Sequence, residues 1–242
     1  MKYGIYSDIH SNLEALNAVF DSMSKKGVKR KICLGDAVGY GPYPNECIRR
    51  IQQESYLSIL GNHDSVALGR EASSQFNFFA RNAIEWTAKE LAEDTRKAMD
   101  SWPYIKEDPP FTFVHASPRS PAEWTYIATL DEAVDAFAFF RQRICFIGHT
   151  HMPIIVVMES DQEFFICDRP SFRLQSNQRA LVNVGSVGQP RDGQPQACWC
   201  LCDSKSFEIE IIRVEYSVQK TQQAMREKGL DEFLINRLSI GK

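Results

Sequence analysis

Five short apolar runs in the first 151 residues each stop at side chains able to bind a metal or carry a proton. Tyr3-Gly4-Ile5-Tyr6 leads to Asp8 and His10, and Ile32-Cys33-Leu34 leads to Gly35-Asp36. Tyr56, Leu57, Ile59 and Leu60 lead to Gly61-Asn62-His63-Asp64, Phe111-Thr112-Phe113-Val114 to His115, and Ile144-Cys145-Phe146-Ile147 to Gly148-His149-Thr150-His151. Runs of this length read as buried strands, and a β-α-β-α-β series sets its strand ends side by side along one sheet edge. All five histidines of the chain fall at or just beyond such an end. A lone aspartate after a strand is ordinarily a cap or turn residue, but a series of such ends is a candidate site.

The segments between the runs supply the helices. Ser11-Asn12-Leu13-Glu14 has the form of a capping box, followed by the apolar stripe Leu13, Leu16, Phe20 and Met23 and a stop at Gly27. Pro44 opens a second helix through Ile48 and Ile51 after a Gly/Pro-rich turn. Residues 72–101 read as helix with a broad apolar face from Phe76 to Leu91, which either covers the cleft or packs on the sheet. Thr129 with Glu132 is a second capping box. From residue 153 the texture changes to short strands: Ile154 to Met158, Phe164 to Cys167, Ala180 to Val184, Ala197 to Cys202 and Phe207 to Val214. Helical segments near 217–228 and 231–238 follow. The pattern predicts two packed sheets in one domain spanning residues 1–242.

Charge excludes some partners. Lys plus Arg number 28 against 31 Asp plus Glu, a net charge of −3, which leaves no overall footprint for nucleic acid or anionic membrane. No stretch approaches the roughly 20 apolar residues of a membrane span. The N-terminus reaches Asp8 too soon for a signal-peptide apolar region. A cytoplasmic protein with reduced thiols is expected, since seven cysteines cannot all pair. Cys198, Cys200 and Cys202 alternate with Ala197, Trp199 and Leu201, which reads as a strand buried on both faces rather than a soft-metal site.

Mixed imidazole and carboxylate donors suit divalent manganese, iron, zinc, nickel or cobalt. In order, Asp8-Ile9-His10, Gly35-Asp36, Gly61-Asn62-His63-Asp64, His115 and Gly148-His149-Thr150-His151 resemble the motifs of the calcineurin-like metallophosphoesterases. The segment from Asn183 to Arg191 is similar to one in small bacterial and archaeal members. The resemblance implies a four-layer α-β-β-α sandwich, on the border of α+β and α/β, with its metal site at the C-terminal strand ends. It also implies two divalent transition-metal ions. By the same resemblance, Asp8, His10 and His151 hold the first ion, Asn62, His115 and His149 the second, and Asp36 bridges them. His63 becomes the proton donor to the leaving oxygen, or else a structural histidine beside the site, with Asp64 orienting it and raising its pKa. Asn12 is a substrate contact or a helix cap, and Arg191 a phosphate ligand or a solvated side chain.

The implied reaction is hydrolysis of a phosphodiester or nucleotide-like phosphate by a metal-bridging hydroxide. The alternatives are a phosphomonoesterase, including a protein serine/threonine phosphatase, and a non-catalytic scaffold like the retromer subunit that resembles this family. The implied partner is a small phosphate ester, and homo-oligomerisation stays open. Two positions depart from the family pattern: Ala116 stands where glycine commonly follows the strand histidine, and Val184 where proline is common. Their expected effect falls on substrate fit.

Overall fold

The computed structural model describes residues 1–160 and 163–242. Its elements run β1 (Lys2–Tyr6), α1 (Leu13–Lys25), β2 (Arg30–Cys33), α2 (Pro44–Glu54), β3 (Leu57–Ser58) and α3 (Asn62–Ala67). Next come α4 (Phe78–Glu90), α5 (Glu93–Asp100), β4 (Ile105–Asp108), β5 (Phe111–Val114), α6 (Leu130–Ala136) and β6 (Ile144–Ile147). The remainder is β7 (Ile154–Met158), β8 (Phe164–Ile166), β9 (Ser171–Arg173), β10 (Arg179–Asn183), β11 (Ala197–Asp203), β12 (Glu208–Val214), α7 (Val218–Glu227) and α8 (Glu232–Arg237).

Two six-stranded mixed sheets form, in the orders β3-β2-β1-β11-β12-β9 and β4-β5-β6-β10-β7-β8. Side-chain alternation decides which faces meet. Ile5, Phe111, Phe113, Ile144, Phe146, Ile155, Val157, Cys200 and Cys202 share one core between the sheets. Their neighbours point outward: Tyr6, Ala197 and Trp199 pack with Leu16, Phe20, Ile48 and Ile51 of α1 and α2. On the second sheet Val114, Cys145, Ile147, Val156 and Leu181 pack with Ala133 and Ala136 of α6. Helix, sheet, sheet and helix are therefore stacked in four layers. The central strand β11 is buried on both faces as its composition predicts, and all seven cysteines are free thiols.

Parallel pairing directs the chemistry to one end. β1, β2 and β3 are mutually parallel in one sheet, as are β5, β6 and β10 in the other. The loops after these six strands open on the same edge.

Several expectations change. The helical reading of 72–101 divides because Leu91 is extended (φ −62°, ψ 121°). Asn45 of α2 caps the second piece, accepting from Ala92 N at 2.8 Å and Thr95 Oγ1 at 2.7 Å. The cap of α1 is Asn12, which accepts from Ala15 N at 3.2 Å; Ser11 has φ 54° and takes no part in a capping box. β4 and β9 were not legible, being short, polar edge strands. Val184 donates its N–H to Ile147 O at 3.0 Å, a bond that proline could not make. Among the described residues no helix is long and apolar enough to cross a membrane.

Burial raises the thiol pKa of Cys33, Cys47, Cys145, Cys198, Cys200 and Cys202, whereas Cys167 is half-exposed. Native protein titrated with an aromatic disulfide reagent at neutral pH is expected to release one thiol equivalent, lost in Cys167→Ser, and the rest only on unfolding. Rapid release of several equivalents would contradict the buried strands.

Candidate metal centre

The strand-end loops bring their donors together through a contorted backbone. Asp8, His10, Asp36, His149 and His151 all adopt positive φ, between 47° and 68°. Left-handed non-glycine residues cost on the order of 1–3 kcal/mol each and persist where surroundings over-determine them. Here the loops brace one another: Asp8 N donates to Gly35 O and His10 N to Asp36 O, both at 3.0 Å. Glycine is required at position 61, where a Cβ would stand 2.2 Å from Asp36 Oδ1.

Each aspartate is anchored by one oxygen and turns the other toward the histidine rings. Asp36 Oδ1 accepts from His63 N at 2.9 Å, and Asp8 Oδ2 accepts from His149 N at 3.0 Å. Asp8 Oδ1 is buried with no hydrogen-bond partner. It lies 3.3 Å from His151 Nε2, 3.9 Å from His10 Nε2 and 4.0 Å from His115 Nε2. Asp36 Oδ2 lies between two rings, 3.4 Å from His115 Nε2 and 3.7 Å from His10 Nε2. Asn62 Oδ1 is 3.1 Å from His115 Nε2, and His149 Nε2 is buried without a partner.

The tautomers follow from the carbonyls behind the rings. Nδ1 of His10 contacts Val38 O at 3.0 Å, that of His115 contacts Leu34 O at 2.9 Å, and that of His151 contacts Gln189 O at 2.5 Å. A carbonyl can only accept, so each Nδ1 carries a proton and each ring turns its Nε2 inward. His10 and His151 face each other through Nε2 atoms 3.1 Å apart. Burial lowers both, His10 well below the usual histidine range, so they are neutral and their lone pairs oppose one another. A cation between them removes that conflict. Two donors on one ion at bonds of about 2.1 Å lie roughly 3–3.5 Å apart, close to several of these spacings. The donor set thus fits divalent metal, with Asp8, His10, His151 as one group and Asp36, His115, His149 as another. A third grouping joins His10, Asp36 and His63.

Burial works to raise the Asp8 and Asp36 carboxyls, but the facing imidazoles outweigh it and hold both below the usual range. Burial likewise works to lower His115, and Asp36 and Asp8 reverse it, pushing the ring up to about 9. His149 is pulled down to about 3, by burial first and His115 next.

His63 and Asp64 stand differently from expectation. β3 ends at Ser58, and Asn62, His63 and Asp64 form the first turn of α3. Asp64 accepts from Gly61 N at 3.1 Å and from Val38 N at 3.2 Å, a capping role with no hydrogen bond to the His63 ring. That ring is wedged between Tyr40, Phe76 and His10, with centroids 4.7, 4.5 and 4.8 Å away. Burial, only partly offset by Asp36, lowers its pKa to about 4 rather than raising it. Gly39, at φ 90°, makes room for it, since a Cβ there would sit 2.5 Å from His63 Nδ1. The segment after residue 72 therefore reaches the cleft through Phe76.

Asn12 has no free valence for substrate. It caps α1, donates to Gly188 O at 3.0 Å and to the Tyr216 hydroxyl at 3.2 Å, and accepts from Thr221 Oγ1 at 3.0 Å. Arg191 is at the mouth: its N–H donates to His151 O at 3.4 Å, Nη2 donates to Gln189 Oε1 at 3.0 Å, and Nε is buried without a partner. Sequence reasoning missed Tyr40, Trp124 and Tyr126. The Tyr126 ring stacks on His149 at 3.9 Å while 50% exposed, and its hydroxyl lies toward Arg191. Trp124 Nε1 donates to both Glu71 oxygens at 3.0 Å, tying the loop after β5 to the segment after α3. An isolated aromatic in a loop carries no periodic signal.

Two packed sheets with a buried His/Asp cluster across the ends of their parallel strands define a metallophosphoesterase-type site. The chain belongs to the calcineurin-like phosphoesterase superfamily, whose domain model matches residues 1–206. It is 40% identical over 242 residues to an uncharacterised protein of Methanocaldococcus jannaschii, covering 98% of this chain and 97% of that one. The crystal structure of a metallophosphoesterase from Sphaerobacter thermophilus matches with TM-score 0.88 and 36% identity, over 100% of this chain and 99% of that one. A Pyrococcus horikoshii OT3 protein shares the fold at TM-score 0.78 and 18% identity, with 100% and 98% covered.

Because Asp64 satisfies two buried N–H groups, Asp64→Ala is expected to destabilise the metal-free protein by about 2–4 kcal/mol. Denaturant unfolding measures this, and an unchanged midpoint would return Asp64 to a purely catalytic role.

Proposed function

We propose that the chain hydrolyses phosphate esters, of the phosphodiester or nucleotide-like kind, at a dinuclear centre. Asp8, His10 and His151 would hold one divalent transition-metal ion, Asn62, His115 and His149 the other, with Asp36 facing both. The observation that carries this reading is the position of Asp36 Oδ2 between His115 and His10, 3.4 and 3.7 Å away. Ions bound there supply Lewis acidity, activating water and offsetting the charge that grows on the phosphoryl oxygens.

The remaining work falls to the chain's own side chains. His63 is neutral at pH 7 in the free site, and its ring is fixed by the aromatic contacts around it. A bound phosphate ester brings negative charge beside the ring and favours its protonated form, from which the proton passes to the leaving oxygen. Arg191 offers its guanidinium to a phosphoryl oxygen, replacing the partner that its buried Nε lacks. Phe76 covers the His63 ring and Tyr126 the His149 ring, and each keeps water from the ring it covers.

Metal-reconstituted protein assayed on p-nitrophenyl phosphate and bis-p-nitrophenyl phosphate is expected to prefer the diester, and Asp36→Asn to lose about 100-fold or more on either. Activity unchanged in that variant would sink the bridged centre, and preference for the monoester would favour the phosphomonoesterase reading. His63→Asn is expected to keep its metal while esters of poor leaving groups slow by about 10²–10⁴-fold. Loss of metal instead, measured by elemental analysis, would make His63 a ligand.

A further inference from the structure

Tyr126 lies against the metal centre with only one side of its ring in use. The ring stacks on that of His149, with centroids 3.9 Å apart and planes 27° from parallel, yet 50% of the residue is exposed. A ring covered on both faces could not stay that open, so the tyrosine keeps its outer face for another partner. Single exposed aromatics are ordinary on a protein surface. This one differs in what its inner face rests on, because His149 is grouped with Asp36 and His115 as a candidate ion ligand. A phosphoryl group bound at that site has the tyrosine as its neighbour.

The loop that carries Tyr126 is fixed on both sides. Two residues before it, Trp124 takes left-handed backbone at φ 54° and is nearly buried, its ring edge-on to that of His115 at 6.0 Å. The indole N–H is held by the Glu71 carboxylate, which also accepts from Ser65 Oγ of α3 at 2.6 Å. Two residues after it, Ala128 N donates to Glu132 Oε2 at 2.8 Å, at the start of α6. One loop thus sets an aromatic ring against each of two histidines grouped for the same ion. Trp124 is spent on packing, whereas Tyr126 is held rigidly with half its surface open. A ring fixed in advance costs a ligand little ordering when it stacks there.

We propose that the outer face of Tyr126 is a stacking platform for a planar aromatic ring on the substrate, so that the ester cleaved here carries an aryl group or a nucleobase. The inference rests on the phosphoesterase reading and narrows its substrates to esters with such a ring. The phosphate sits at the metal centre and the ring lies on the tyrosine, making a three-tier stack with His149 beneath. Offset stacking asks only for a flat π-face, which every base and aryl group has, so the platform selects planarity rather than a pattern of hydrogen bonds. The tyrosine hydroxyl takes no part in it.

Calorimetric titration of metal-loaded protein with two pairs of phosphonates tests this, with metal content verified after each run. One pair is benzylphosphonate against methylphosphonate; the other is 5′-deoxyadenosine 5′-phosphonate against the same sugar phosphonate without its base. In at least one pair the ring-bearing probe is expected to bind about fivefold or more tightly than its ringless partner. The first pair reports an aryl group close to phosphorus and the second a base beyond a sugar, so the pair that responds tells the two sources apart. Tyr126→Leu should remove the preference, Tyr126→Phe should keep it, and thermal melts check that both variants fold. Equal affinity within both pairs, or a preference untouched in folded Tyr126→Leu, overturns the platform. If p-nitrophenyl esters are hydrolysed all the same, the platform alone is defeated. Absence of both phosphonate binding and hydrolysis in metal-loaded protein defeats the phosphoesterase reading and the platform with it.

Discussion

His10 and His151 point lone pairs at each other across 3.1 Å of dry interior, and the surrounding structure is arranged so that neither can turn away. Each is held from behind by a backbone carbonyl, Val38 O for one and Gln189 O for the other. Both residues sit in left-handed backbone, which the loops can sustain because they hydrogen-bond to one another as well as to the sheets. The arrangement is unfavourable in isolation and favourable around a cation. Rigidity here thus precedes binding, and the cost of assembling the donors is met during folding.

The layers around the site explain that rigidity. Alternating side chains commit each parallel strand to two cores at once, as when Ile144 and Phe146 face the inter-sheet core while Cys145 and Ile147 face α6. A strand fixed on both faces cannot slide by one residue without reversing every side chain. The loops that follow inherit that register, and this is what delivers Asp8, Asp36, His115 and His149 to common ground from four different strands.

Much of this was legible because it is written in local pattern. Apolar runs ending in glycine, aspartate or histidine located the strand ends, and their order along the chain located the sheet edge. The departures arose where distant groups override local preference. Asn45, from another helix, supplies the cap that divides the segment after residue 72. Asn12 rather than Ser11 caps α1, because Ser11 is drawn into the left-handed turn. Asp64 is taken by the N–H groups of Gly61 and Val38, of which only the first is a neighbour in sequence. Tyr40 and Tyr126 could not be singled out, since their placement depends on how separate loops fold over the same opening.

The parallel strand ends come from both sheets, and this has a mechanical meaning. In the proposed assignment, one ion takes Asp8 and His10 from the sheet of β1 and His151 from the sheet of β6. The other takes Asn62 from the first sheet and His115 and His149 from the second. Each ion is then a rivet through two plates whose facing surfaces are largely apolar. A chain severed between β3 and β4 would leave neither fragment with a complete set of donors, so the metal could rejoin the halves but could not be kept by either one.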